Sequence, residues 1–122
     1  PSRADSPTDG TYMSGSDLFT GTLDLLILRT LREEPLHGYA VGKHLRARSE
    51  GVLDVEEGAL YPALHRLESR GLVTAEWGRT DTNRRAKFYS LTAAGREQLA
   101  AEAERWNDFS RAVRAVLGGT GG

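Results

Sequence analysis

The chain has 122 residues, of which 39% are hydrophobic, 27% charged and 7% aromatic, with a mean hydropathy of -0.47; this is a soluble globular composition for one domain and leaves no room for a separate cofactor domain. It contains no cysteine, and its most apolar run, Leu23 to Leu31, is interrupted by Asp24 and Arg29. A disulfide scaffold, a thiolate metal site and a bilayer span of ~20 apolar residues are thereby excluded. The net charge is -1, but between residues 79 and 87 Arg79, Arg84, Arg85 and Lys87 stand against Asp81 alone, a basic spot in a neutral molecule.

Residues 1–20, rich in Ser, Asp, Gly, Thr and Pro, show almost no apolar periodicity and are expected to form a flexible N-terminal tail. Met13 reads as a natural start, with the upstream residues either left over from expression or a native extension. No leader with basic, apolar and small-residue regions is visible, so a cytoplasmic location is expected. Arginine-heavy usage, with Lys43 and Lys87 the only lysines, points to a GC-rich bacterial genome. Thr22 is a candidate cap for a first helix in which Leu23, Leu26, Ile27 and Leu31 follow the 3.6 period. Leu25 and Leu28 widen that stripe, which predicts burial on more than one side until Pro35 stops the helix.

Gly38 opens a second helix through Ser49, with Tyr39, Val41 and Leu45 inward and Lys43, Arg46 and Arg48 outward, and Gly51 ends it. Val52, Leu53 and Val55 connect to a third helix that begins at Glu56 or Glu57, carries Leu60, Leu64 and Leu67, has Pro62 near its start and closes with Gly71 at C′. From Leu72 the period becomes two. Val73, Ala75 and Trp77 alternate with Thr74 and Glu76, Gly78 to Arg85 reads as a polar loop, and Ala86 to Leu91 as a second strand whose buried face Phe88 and Tyr89 leave open. Thr92 caps a long last helix in which Leu99, Trp106 and Val113 recur every seven residues, with Phe109 and Val116 between them and Ala103, Ser110 and Leu117 flanking the seam.

The fold class is therefore mostly α with a small β-hairpin: a winged helix-turn-helix over residues 21–91 and a C-terminal dimerisation helix over 92–117, followed by a flexible end at 118–122. A helix fits the major groove and a basic hairpin reaches phosphates or the minor groove beside it. Gly58, Ala59, Tyr61, His65 and Arg66 on the third helix and Arg79, Arg84, Arg85 and Lys87 at the hairpin are the expected DNA contacts, with Tyr39 counted among them. Tyr61 also fits a core position. Glu56 and Glu57 suit the helix dipole yet repel phosphates, and plain capping is favoured over a contact to cytosine N4. His37, His44 and His65 include no i, i+4 pair on one helix, so no metal site is expected, and His37 is read as bonding backbone in the turn before the second helix. Without a phosphate-cradling loop, catalytic triad or buried carboxylate pair, neither an enzyme nor a cofactor is expected.

The run from Gly21 to Leu28, the triplet His37-Gly38-Tyr39, the string from Glu57 to Glu68 and the stretch from Arg84 to Thr92 together resemble PadR-like transcriptional regulators over residues 21–117. The single C-terminal helix is similar to the short branch of that family. The resemblance implies a homodimeric repressor of double-stranded operator DNA whose third helix enters the major groove, whose wing flanks it, and whose last helix joins the partner's first. Leu23, Leu26, Ile27, Leu99, Trp106, Phe109, Val113, Val116 and Leu117 would then form the dimer interface. Some members hold a flat aromatic effector at the dimer centre, which makes Trp106 the matching ligand-binding residue, although dimer packing explains it equally. Glu56-Glu57 departs from the Ser-Pro of many relatives. The rival reading is a winged-helix module that binds protein and not DNA, favoured by the near-neutral charge and the acidic start of the third helix.

Overall fold

Burial on several sides, as the widened leucine stripe predicts, makes the first helix the hub of the molecule. The computed structural model describes the backbone of residues 15–118 and the side chains of residues 21–118. In chain order the elements are α1 (Gly15–Leu31), β1 (Leu36–His37), α2 (Gly38–Arg48), α3 (Glu57–Ser69), β2 (Val73–Arg79), β3 (Arg85–Leu91) and α4 (Ala93–Leu117). α1 contacts α2, α3, β3 and α4 and buries Leu23, Ile27, Leu28 and Leu31 in a core with Val41, Leu60, Leu64, Leu67 and Val73. Each such side chain contributes about 1.5–3 kcal/mol of transfer free energy. Thr30, the buried polar residue on α1, is satisfied by donating from Oγ1 to the Leu26 carbonyl at 2.8 Å. No helix among the described residues is long and apolar enough to cross a membrane.

The helix starts at Gly15, so Thr22 lies inside it and does not cap it, and residues 15–20 of the expected tail are helical. Once the packed turns from Leu23 onward are formed, each further residue adds a hydrogen bond without a new nucleation cost, and no proline intervenes. Met13 and the remainder of that tail, like residues 119–122, lie outside the described residues; Gly118 is described, and in left-handed conformation (φ 76°) it caps α4.

The sheet has three strands in the order β1-β3-β2, all antiparallel, and not two. β1 pairs Leu36 with Tyr89 and His37 with Phe88; two residues are too few to show a period in the sequence. In the hairpin, pairing runs from Val73 with Leu91 to Arg79 with Arg85. The strands thus invade the expected loop and leave residues 80–84 as its tip. That tip closes with Thr80 N–H on the Arg84 carbonyl at 2.9 Å and Arg84 N–H on Thr80 Oγ1 at 3.1 Å. On β3 Tyr89 is the buried aromatic and Phe88 is half-buried.

The helix ends follow local chemistry. At the end of α3, Leu72 N–H bonds the Leu67 carbonyl and Gly71 N–H the Glu68 carbonyl, both at 3.0 Å, with Gly71 at φ 76°; this is a Schellman close with glycine at C′. α2 closes with the same pattern but with Glu50 at C′ at φ 55°, Gly51 N–H meeting the Arg46 carbonyl at 2.8 Å. Thr92 caps α4 as expected, its Oγ1 accepting from Gly95 N–H at 2.9 Å and donating to the Gly71 carbonyl at 2.8 Å. One turn in, a Cβ on Gly95 would overlap the Leu72 carbonyl oxygen and the Leu91 side chain.

Two substitutions at these ends are expected to move stability in opposite directions in urea unfolding. Gly95→Ala forces α4 off the Leu72 carbonyl and should destabilise by about 1–3 kcal/mol, more than the gain in helix propensity returns. Glu50→Gly removes the left-handed strain of a side chain at C′ and should stabilise by about 1 kcal/mol.

Candidate nucleic-acid interface

The start of α2 and the exposed side of α3 are locked together by one ring. His37 is extended (φ -83°, ψ 165°) and its Nδ1 accepts from Ala40 N–H at 3.3 Å, capping α2; the expectation of a backbone-bonding histidine holds. Its ring meets Phe88 edge-on at 5.3 Å and lies parallel to Tyr39 at 6.3 Å. Next to it, a Cβ on Gly38 would overlap the Tyr61 ring. Tyr61 therefore packs its ring against bare backbone while remaining 41% exposed. Partial burial and the nearby Glu57 carboxylate push its hydroxyl pKa up, so the phenol stays a neutral donor at any working pH.

Tyr39, read as inward from the helical period, is instead 60% exposed. Of the three expected side chains only Val41 and Leu45 enter the core; with Gly38 they form one helical face at i, i+3 and i+7, and Tyr39, one residue on from Gly38, lies off it. Tyr39 stands over an open cleft of about 1010 Å³ between α2, Tyr61 and the hairpin. Of the expected DNA contacts, the cleft brings together Tyr39, Tyr61, Arg84, Arg85 and Lys87. It adds His37, Lys43 and His44, to which sequence reasoning gave no DNA role. Tyr39 and Lys43 are one turn apart on α2, with Lys43 Nζ 5.7 Å from the tyrosine ring centroid; that i, i+4 pairing on the polar side was the available signal. Lys43, Arg84, Arg85 and Lys87 oppose Asp81 alone along the lining, so the local field is positive in a chain of net charge -1.

The remaining expected contacts are placed otherwise. His65 is exposed one turn beyond Tyr61, while Gly58 is exposed and Ala59 packs half-buried against the core. Arg66 donates to Asp24 of α1 at 2.8 Å, and Arg70 lies 4.0 Å from the same carboxylate; a half-buried acid on α1 draws Arg66 toward the body. Lys87 reaches Glu68 at 3.4 Å and Arg79 donates to the Asn83 carbonyl at 3.2 Å. Glu56 sits at the cap position of α3, yet its side chain makes no capping bond, and its carbonyl instead receives Ala59 and Leu60 N–H at 3.0 and 2.9 Å. The plain capping favoured for these two glutamates is therefore met by position, with Glu56 at the cap and Glu57 in the first turn, and not by a side-chain bond from Glu56. An aspartate or serine side chain is short enough to turn back on the first N–H groups, and glutamate is one methylene longer.

Away from the cleft, α4 buries Gly95 and Leu99 and continues along α1 with mostly exposed side chains. Leu23, Ile27 and Leu99, expected at a dimer interface, are covered within the chain's own core and have no surface to offer a partner. Leu26 is half-buried, whereas Trp106, Phe109 and Val113 are each 38% exposed and Val116 and Leu117 far more so. The Trp106 and Phe109 rings stack tilted at 5.7 Å beside a small apolar hollow of about 40 Å³ that Gly21, Thr22 and Leu25 share.

A helix-turn-helix whose last helix leads directly into a hairpin wing, with β1 clamping the wing to α2, defines the winged helix-turn-helix class. The family model described as the transcriptional regulator PadR-like family matches residues 27–101. Transcriptional regulator Rv3488 of Mycobacterium tuberculosis is 35% identical over 95 residues, 78% of this chain and 82% of that protein. Among solved structures, a transcriptional regulator from Clostridium thermocellum superposes with a TM-score of 0.73 at 26% identity, covering 81% of this chain and 96% of the other. A PadR family transcriptional regulator from Eggerthella lenta does so at 0.70 and 33% identity, covering 86% and 89%. The chain belongs to the PadR-like family of transcriptional regulators.

The Gly38 contact has a testable signature. Gly38→Ala should cost about 1–3 kcal/mol of stability by overpacking, and much less when Tyr61→Ala has removed the obstructing ring; the denaturant double-mutant cycle should show strong positive compensation.

Proposed function

We propose that this regulator is a repressor that binds a pseudo-palindromic operator as a homodimer and is released by a small molecule or stress signal. The observation that carries the reading is the cleft itself: four cationic side chains and the exposed Tyr39 and Tyr61 converge beside the solvent face of α3, where Tyr61 and His65 lie one turn apart. α3 supplies base-edge contacts through Tyr61 and His65, and Arg84 and Arg85 reach phosphates or the minor groove beside it. Lys43 and Tyr39 at the start of α2 add backbone contacts.

The dimer is supported by the exposed stripe of Trp106, Phe109, Val113, Val116 and Leu117 on the second half of α4. A second copy of the stripe covers it, and two-fold association also matches two half-sites about one helical turn apart. Half-buried Leu26 on α1 is the one expected interface residue of that helix with surface left for such a partner. Within one protomer the hollow at Trp106 is too small for an aromatic effector, so an effector site there requires the partner's half.

Binding to random duplex DNA as a function of salt tests the reading. Phosphate neutralisation releases counterions, so affinity should fall steeply with salt, and Arg84→Ala with Arg85→Ala should make the log-log slope shallower by about 3–4 units for a dimer, roughly 0.9 for each lost contact. Absence of salt-dependent DNA binding would favour the protein-binding module. Val113→Glu should give a monomer at micromolar concentration in sedimentation and weaken operator binding, because burying the paired carboxylates costs several kcal/mol per ion. A wild-type monomer with tight operator binding would remove the dimer from the mechanism.

A further inference from the structure

Trp77 is a large aromatic with no core to fill. It lies on the face of β2 that begins with buried Val73, but four residues along the strand the domain has ended, and Trp77 is 59% exposed. Exposing so much indole on a wing tip leaves its apolar surface in water unless something uses it. The pairing register says what does. Trp77 stands opposite Lys87, which places Arg85, two residues earlier on β3, at the diagonal cross-strand position on the same face. The Arg85 guanidinium carbon lies 4.4 Å above the Trp77 ring centroid. The other cations on this face are held elsewhere, Lys87 by Glu68 and Arg79 by the Asn83 carbonyl. Arg85 lines the cleft, and Trp77 stands outside it, behind the guanidinium.

We propose that Trp77 is a positioning residue for DNA binding, a flat platform that holds the Arg85 guanidinium in a fixed plane so that its N–H edge is presented to a backbone phosphate. This rests on the DNA-binding reading above. A guanidinium stacked on indole keeps its in-plane N–H donors free for a phosphate fork, and the ring's quadrupole attracts the cation without competing for those donors. A carboxylate partner would neutralise the same charge and occupy the same donors. Stacking also removes rotamer freedom that a long side chain would otherwise lose on binding. A lysine at position 85 would keep the charge but lose the planar fork, so charge alone does not substitute for Arg85.

The test is a double-mutant cycle on the full chain, with affinity for a random-sequence duplex of ~30 bp at low salt as the readout, and with thermal unfolding followed for each variant. Arg85→Ala should weaken binding and make the salt slope shallower. Trp77→Leu should weaken binding by about two- to fivefold per wing with the slope unchanged, since the cation is still there. Trp77→Phe should recover part of the loss, and Arg85→Lys should bind less well than wild type. In the Arg85→Ala background, Trp77→Leu should have no further effect. Loss of affinity from Trp77→Leu that persists in that background overturns the proposal, because Trp77 would then touch DNA itself or support the wing generally. Full affinity in Trp77→Leu, with Arg85→Ala still impaired, overturns it while leaving the DNA-binding reading intact. Unimpaired binding in Arg85→Ala, or no binding by the wild type, removes the wing reading and the platform with it.

Discussion

A missing methyl group organises the cleft between α2, α3 and the hairpin. Because position 38 carries no Cβ, the Tyr61 ring can lie against the start of α2, and that contact sets the distance between the capped turn at His37 and the exposed side of α3. Beside that contact Tyr39 and Lys43, which the helical period places one turn apart on the exposed side of α2, line the cleft. β1 adds the second constraint by hydrogen-bonding the same turn to β3, so the wing and the helix-turn-helix are registered through two adjacent residues, His37 and Gly38. A rigid element spacing of this kind allows a helix and a wing to meet adjoining parts of one duplex without reordering on contact.

Charge follows the same division of labour. The chain is almost neutral, and many of its cations are neutralised within the protein: Arg66 and Arg70 by Asp24, Lys87 by Glu68, and Arg105 and Arg111 by acids on α4. The pairs on α4 are largely exposed and contribute little to stability individually, while Asp24 and Glu68 are partly buried. Together they lower the positive potential of the surface, at Lys87 within the cleft as well as away from it. Arg84 and Arg85 at the wing tip and Lys43 on α2 have no such ion pair among the described residues. The net charge therefore understates the cleft, which is why near-neutrality is a weak argument for the protein-binding alternative.

Elements fixed by local chemistry were legible in the sequence. Gly71, Thr92 and the His37 cap each depend on residues within a turn or so of one another. What was hidden depends on contacts between distant segments. β1 is too short for a pattern and exists only because β3 lies beside it. Tyr39 has an amphipathic side chain, and the buried face of α2 is the one with Gly38, Val41 and Leu45, where the bare backbone of Gly38 is covered by Tyr61 from α3. Arg66 reads as a groove contact until Asp24 of α1 is found at its guanidinium. Leu23, Ile27 and Leu99 satisfy a core as well as they would satisfy an interface, and apolarity alone does not distinguish the two. The site was thus half legible: the wing arginines, Tyr61 and Tyr39 from motif and spacing, and the contribution of His37, Lys43 and His44 from the fold.

The central claim is that DNA occupies the cleft between α2, α3 and the wing while the exposed stripe of α4 is left to the partner subunit. Amide hydrogen exchange of the wild-type protein with and without a saturating duplex, at a protein concentration held constant, measures this directly. New protection is expected at residues 37–44, along the exposed side of α3 and at residues 79–87, with residues 102–117 unchanged by DNA because the dimer already covers them. Protection by DNA confined to residues 102–117, with the cleft unaffected, would contradict it.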